Sequence, residues 1–295
     1  MAWKLNLDEH NINISRQPSP AEYAEAAESE KIQLNYARLL DGKVCLITGA
    51  SYGIGQAVAN LYAKHGARLI ITARNQTKLE VAADQIRTEI PNADVFAVAS
   101  DVCDREATLK LFATIKEKYG RLDILINNAG YGDQWRAEEV PDEVMDYIVD
   151  FNLKGPIRFC REALKIMLPQ HYGRIINVSS VNGVRPMCGS VYGATKGGLN
   201  LLTKSIAIRC VGTGVTCNSL CPGFTVTPLA LAQERGGDEA LAPAGKDMIP
   251  ILHTRTVRNT PTFPIDQANL ALFLGSDMSR AVTGQFIVCD NGSYL

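Results

Sequence analysis

The chain has 295 residues, 46% of them hydrophobic and 21% charged, which excludes disordered and fibrous classes and leaves apolar material for a sizeable core. Lys and Arg number 30 against 31 Asp and Glu, a formal net charge of -1. That balance removes the electrostatic case for a nucleic-acid or anionic-membrane partner and favours a small molecule as substrate.

No apolar run approaches the roughly 18 residues that suggest a membrane span. The eight cysteines, Cys45, Cys103, Cys160, Cys188, Cys210, Cys217, Cys221 and Cys289, form no CxxC pair, and none sits near a histidine at zinc-ligand spacing. No metal site is expected. So many unpaired thiols suit a reducing compartment, and the N-terminus lacks a cationic stretch followed by an apolar run and a cleavage site. A cytoplasmic location is expected.

Residues 1–40 are polar at first, then rich in Ala and Glu, and read as a helical extension ahead of a domain at 41–295. Ser19-Pro20-Ala21-Glu22 has capping-box spacing with Pro at the first helical position, so a helix should begin there. Ile32, Tyr36 and Leu39 follow at helical intervals, an apolar stripe suited to packing on the body or on another subunit.

From residue 43 the pattern becomes short β-branched runs separated by helix-length amphipathic segments. Strands are predicted at 44–48, 68–72, 95–99, 122–126, 175–178, 215–219 and 286–289. The expected fold is α/β, a single-domain Rossmann-like doubly wound sheet of about seven mainly parallel strands with helices on both faces. A stretch without a strand, about 224–262, carries Leu229, Leu231, Met248 and Ile249 among Pro and Gly and is assigned as a substrate lid.

Directly after the first strand stands Thr48-Gly49-Ala50-Ser51-Tyr52-Gly53-Ile54-Gly55, with a helix predicted to open at Gly53. Glycines there let the backbone turn sharply and approach a pyrophosphate, while the free amides and dipole of the new helix attract its charge. The cradle is therefore assigned to Gly49, Ser51, Tyr52, Gly53, Ile54 and Gly55. The second strand ends in Thr72-Ala73-Arg74-Asn75, without the acid that would bond the adenosine ribose of NAD. Arg74 can pair with the 2′-phosphate of NADP, stack on adenine or lie in solvent; the cofactor is NAD(H) or NADP(H), with a slight lean to NADP.

Tyr192 and Lys196 lie one helical turn apart on one face. Reducing a ketone by hydride leaves negative charge on oxygen, which needs a proton, and a phenol can supply it. In oxidation the phenol must act as a base, which a nearby cation assists by stabilising phenolate.

The G-x-x-x-G-x-G cradle resembles the nucleotide loop of the short-chain dehydrogenase/reductase family, and further motifs follow in order. Asp101-Val102 after the third strand resembles the family's adenine contact, and Asn127-Asn128-Ala129-Gly130 follows the fourth. Ser180, Tyr192 and Lys196 match the family's reacting residues, with Asn152 in the helix before the fifth strand. Pro222-Gly223-Phe224-Thr225-Val226-Thr227 resembles the loop beside the nicotinamide. The resemblance implies that Ser180 bonds the substrate oxygen, that Lys196 also bonds the nicotinamide ribose, and that Asn152 holds a water feeding protons to Lys196. It assigns Asp101, Val102, Asn128, Ala129, Gly130, Pro222, Gly223, Thr225 and Thr227 to the cofactor. The sequence departs from the family at Asn291, where Gly is usual, and in a Ser-to-Tyr interval one residue shorter than the commonest. Family practice also implies a homo-oligomer, plausibly a tetramer, joined by the helices carrying Asn152 and Tyr192.

Trp135, Tyr131, the 184–188 segment and the apolar lid suit a bulky apolar substrate. The N-terminal arm ahead of such a core resembles bacterial hydroxysteroid dehydrogenases, the 20β-specific kind in particular. A 3-oxoacyl thioester reductase, a polyol or sugar dehydrogenase and a catalytically silent nucleotide-sensing partner protein are the alternatives.

Overall fold

Seven short runs rich in β-branched and aliphatic residues form the strands: β1 (Val44–Thr48), β2 (Arg68–Ala73), β3 (Val95–Ala99), β4 (Ile124–Asn127), β5 (Gly173–Val178), β6 (Val215–Pro222) and β7 (Phe286–Cys289). The computed structural model describes residues 34–133, 135–186, 189–228, 230, 257 and 260–293. The helix predicted from Ser19 and most of the lid lie outside the described residues. Residues Arg38–Leu295 form one compact unit.

All seven strands pair in parallel, in the order β3-β2-β1-β4-β5-β6-β7. Ile47 on β1 faces Ile71 on one side and Ile126 on the other. The chain winds outward from β1 to β3, then returns to place β4 on the opposite flank of β1. In an open parallel sheet that reversal leaves a crevice at the carboxyl ends of the strands, the favoured place for a ligand.

The inner strands of a parallel sheet are buried on both faces, so their runs are largely apolar and alternate residues enter different cores. On β1, Cys45 and Ile47 join one cluster with Tyr62, Leu79 and Leu274, while Val44 and Leu46 join another with Phe112, Phe159 and Met167. The first face is covered by α1 (Gly53–Lys64), α2 (Gln76–Glu89) and, later in the chain, the helix Pro264–Gly275; the second by α3 (Arg105–Tyr119), with the helices that follow β4 and β5. After β4 come α4 (Asp142–Val149), a π-helical turn (Asp150–Lys154) and α5 (Gly155–Met167); α6 (Ser190–Arg209) follows β5, and Pro264–Gly275 is α7. Tyr62 on α1 donates to the Ala271 carbonyl of α7 at 2.6 Å, so two helices on one face share a buried polar tie as well as apolar contact.

Four strands and the N-terminal apolar stripe differ from expectation: β2 runs to Ala73, paired with Ala99, β5 begins at Gly173, paired with Val215, and β4 ends at Asn127, paired with Asn177. Strand β4 begins at Ile124 rather than Leu122: the Val44 amide goes to the buried Asp123 carboxylate at 2.8 Å and not to the Leu122 carbonyl, while the Asp123 backbone still bonds Val44 and Arg174. Strand β6 continues to Pro222, because Cys221 and Pro222 find partners in Val288 and Cys289 of β7. Tyr36 and Leu39 lie in turns and not on a helix; the Asn35 side chain accepts the Ala37 amide at 3.1 Å, a local bond that competes with helical pairing.

Candidate active site

The loops after β1 and β4 meet at the switch point. Thr48 Oγ1 accepts the amides of Asn128 and Ala129, each at 3.0 Å, and the Asn128 side-chain amide donates to the carbonyls of Thr48 at 2.9 Å and Gly49 at 3.1 Å. Gly49 has φ +64, and a Cβ there would stand 2.9 Å from the Ala129 Cα, so both conformation and space demand glycine. A Cβ on Gly55 would overlap the Gly49 carbonyl. Tyr52 is the N-cap of α1 in extended conformation, gives no side-chain cap, and the helix has no acid in its first turn. The amide-rich end of α1 is thus left to meet an anion.

A cleft of about 450 Å³ runs along these carboxyl ends. Gly49, Ser51, Tyr52, Gly53 and Ile54 line its middle; Arg74 and Val102 line one end. Asn128, Ala129, Gly130, Ser180, Tyr192, Lys196, Pro222, Gly223, Thr225 and Thr227 line the rest. Three assigned residues stand behind the wall. Gly55 is pressed against the cradle, Asp101 accepts the Cys103 amide at 2.9 Å, and Asn152 is fully buried.

Other lining residues carry no motif. Lys78, in the first turn of α2, lies at the Arg74 end with Thr72 and Ser100. The hydroxyls of Thr72 and Ser100 are buried without a protein partner. Unpaired buried hydroxyls are costly, so a polar ligand in this part of the cleft would relieve them. Arg74 donates to the Tyr147 hydroxyl at 2.9 Å and stands 5.4 Å over the Phe151 ring. Tyr52 in the cradle offers no positive charge to assist Arg74; Lys78, which follows the second strand by five residues, supplies one at this end of the cleft.

At the opposite end, α6 carries Tyr192 and Lys196. Lys196 is 3% exposed, its ammonium donates to the Val178 carbonyl at 2.9 Å, and it lies 5.6 Å from the centre of the Tyr192 ring. Burial lowers its pKa from 10.5 to about 8, with the Cys221 sulfur opposing in part. Gly130 leaves room for that ammonium: a Cβ there would stand 3.2 Å from it. Ser180 caps the single 3-10 turn Val181–Gly183, its oxygen accepting both the backbone and side-chain amides of Asn182 at 3.1 and 3.2 Å. Two accepted bonds aim the hydroxyl and leave its proton to donate.

Asn152 sits in the π-helical turn, an insertion that turns its side chain inward. Its amide donates to the Tyr131 carbonyl at 2.6 Å and accepts the Tyr131 amide at 2.8 Å. The side chain therefore clasps the loop after β4.

The arrangement could hold an anionic dinucleotide along the glycine cradle and a carbonyl or alcohol oxygen between Ser180 and Tyr192. A bound nicotinamide would supply or accept the hydride. The phenol of Tyr192 can deliver a proton to the developing alkoxide, Ser180 can hydrogen-bond that oxygen, and the Lys196 ammonium lowers the cost of phenolate.

A parallel sheet with a phosphate cradle at its switch point and a Tyr–Lys pair beyond β5 defines a nicotinamide-dependent oxidoreductase. The profile of the short chain dehydrogenase family matches residues 43–236, and the chain belongs to that family as an NAD(P)-dependent dehydrogenase or reductase. It is 36% identical over 264 residues to a 3beta-hydroxysteroid dehydrogenase of Mediterraneibacter gnavus, covering 85% of this chain and 95% of the relative. It is 35% identical to the 3-oxoacyl-[acyl-carrier-protein] reductase FabG of Rickettsia conorii over 87% of this chain and 98% of that one. Among solved structures, the L-sorbose reductase of Gluconobacter frateurii, complexed with NADPH and L-sorbose, superposes with a TM-score of 0.77 at 28% identity, covering 87% of this chain and 98% of that chain.

Proposed function

We propose that the protein interconverts a ketone and a secondary alcohol on a bulky apolar substrate of steroid type. The observation that carries the reaction is the convergence of Ser180, Tyr192 and Lys196 on one end of a dinucleotide-sized cleft. Tyr192 donates the proton in reduction and accepts it in oxidation; Ser180 holds the substrate oxygen. Behind Tyr192, Asn152 keeps the loop carrying Gly130 in place. The steroid class is supported by the relationship to a 3beta-hydroxysteroid dehydrogenase and by the apolar Val181 and Phe224 in the cleft lining.

NADP(H) is the favoured cofactor, because Arg74 and Lys78 share the end of the cleft where a 2′-phosphate would lie and no acid lines it. The many free thiols support a reducing, cytoplasmic setting. Exposed Ile157 on α5 and Leu201 and Ile208 on α6 support a homo-oligomer, which light scattering after gel filtration would test.

One assay tests the reaction and substrate: NADH and NADPH oxidation, side by side, against ketosteroids, acetoacetyl thioesters and keto-sugars. Turnover of a ketosteroid with NADPH preferred is expected. Preference for acetoacetyl thioesters would favour the second reading, a 3-oxoacyl thioester reductase, which the FabG relationship supports. Silence across the panel with nucleotide still bound would revive the sensor alternative.

A further inference from the structure

Helix α6 carries the reacting Tyr192 and Lys196 but lacks a cap of its own. Its N-cap is Gly189, which offers no side-chain acceptor, and its first turn holds no acid. The first amides of a helix need acceptors from elsewhere. One comes from the β4 loop, 59 residues upstream of Tyr192: the Asp133 carboxylate accepts the Tyr192 amide at 2.6 Å through Oδ2. Its other oxygen accepts the Trp135 amide at 3.1 Å, and its main-chain carbonyl accepts the Gly189 amide at 3.1 Å.

The fit is built on both sides. Asp133 is 2% exposed, and a Cβ on Gly189 would overlap its carboxylate, so the absence of a side chain at the N-cap makes room for the borrowed one. Burial raises the Asp133 pKa, and the Tyr192 and Trp135 amides oppose that by bonding the ionised form. Asp133 itself lines the cleft, together with Asn128, Ala129 and Gly130 of the same loop.

We propose that Asp133 is a positioning residue, whose carboxylate caps α6 from the β4 loop and fixes Tyr192 relative to the cleft wall that holds the cofactor. This rests on the assignment of Tyr192 as the proton-transfer group. A misplacement of about 1 Å at such a group can cost on the order of a hundredfold in rate. A cap acting only on fold stability would leave the rate of folded enzyme unchanged.

The test uses the full chain with Asp133→Ala, Asp133→Asn and Gly189→Ala, reading kcat, KM, NADPH affinity by fluorescence and the melting temperature. Asp133→Ala is expected to lower kcat about tenfold or more, with KM and nucleotide affinity within about twofold. Asp133→Asn keeps one acceptor and should recover part of that loss. Gly189→Ala displaces the carboxylate, so it should resemble Asp133→Ala, and the double variant should be no worse than either single one. Wild-type kcat in folded Asp133→Ala, a rise confined to KM, or additive losses in the double variant would overturn the proposal. Tyr192→Phe run beside them separates the two failures: if it stays active, the assignment of Tyr192 fails; if it is inactive while Asp133→Ala turns over normally, only the positioning role fails.

Discussion

Replacing Lys196 by Met isolates the consequence of burying an ammonium beneath the site. Lys196 is 3% exposed, and desolvation lowers its pKa from 10.5 to about 8. Below pH 8 both folded and unfolded chains hold this proton, and the stability difference between wild type and variant has no slope from it. Between 8 and 10.5 the unfolded chain binds the proton and the folded one does not, so wild-type stability rises with pH relative to Lys196→Met. Integrated from pH 7 to pH 9.5, at about 1.36 kcal/mol per unit, the gain is about 2 kcal/mol. Urea denaturation of the nucleotide-free proteins at both pH values gives the quantity directly, because titrations common to both chains cancel in the difference. A gap between wild type and variant that stays constant within about 0.5 kcal/mol, or that moves against wild type at high pH, would refute the reasoning.

Tyr192→Phe should lower kcat by roughly 10²–10⁴-fold while leaving NADPH affinity unchanged, read by steady-state kinetics and fluorescence titration. Arg74→Ala should weaken NADPH about tenfold and NADH little, since only the former offers a phosphate to a guanidinium; equal losses for both would remove the 2′-phosphate role. Gly55→Ala places a methyl on the Gly49 carbonyl and should cost roughly 1–3 kcal/mol by denaturation, with loss of nucleotide binding. Asn152→Ala leaves the Tyr131 amide and carbonyl without their side-chain partner and should cost roughly 1–3 kcal/mol, measured by thermal or urea unfolding.

What could be read from the sequence was what is encoded locally. β1, β3 and β7 are short, almost wholly apolar runs and were legible to the residue, whereas β5 and β6, though fully buried, carry Arg174, Asn177, Thr216, Asn218 and Ser219 among their apolar residues and run past their predicted ends. The cradle was legible because its glycines lie within one turn of each other. What escaped was set by distant partners. Nothing near Asp123 announces that its carboxylate will take the Val44 amide and delay β4, nor does anything near Cys221 and Pro222 announce that β7 will extend the ladder beside them. Lys78 and Thr72 flank one short β2–α2 connection, but Ser100, just past β3, joins them only through the pairing of β3 with β2. Arg74 stands out in the sequence as a base at the end of β2, but its partner Tyr147 sits 73 residues away on α4.

The Asn127-Asn128-Ala129-Gly130 motif shows why a recognisable pattern is not the same as a set of ligand contacts. Asn127 does not line the cleft: its side chain donates to Asn177 at 2.8 Å, and Asn177 donates to Thr203 on α6 at 2.9 Å, all buried. An apolar residue at 127 would keep the core packed yet strip Asn177 of a donor where water cannot replace it. Asn128 lines the cleft, but its amide is spent on the carbonyls of Thr48 and Gly49, so it shapes the cradle. Gly130 gives up its side chain so that the Lys196 ammonium can come close. Three residues of one motif thus brace the sheet end, the glycine loop and the buried Lys196 in turn. The loop that continues from them is held by Asn152 at Tyr131 and engages α6 through Asp133. Removing any one of these ties would loosen the cleft wall beside Tyr192, which is why Asn127 and Asn152, neither of which lines the cleft, are expected to change the rate of turnover.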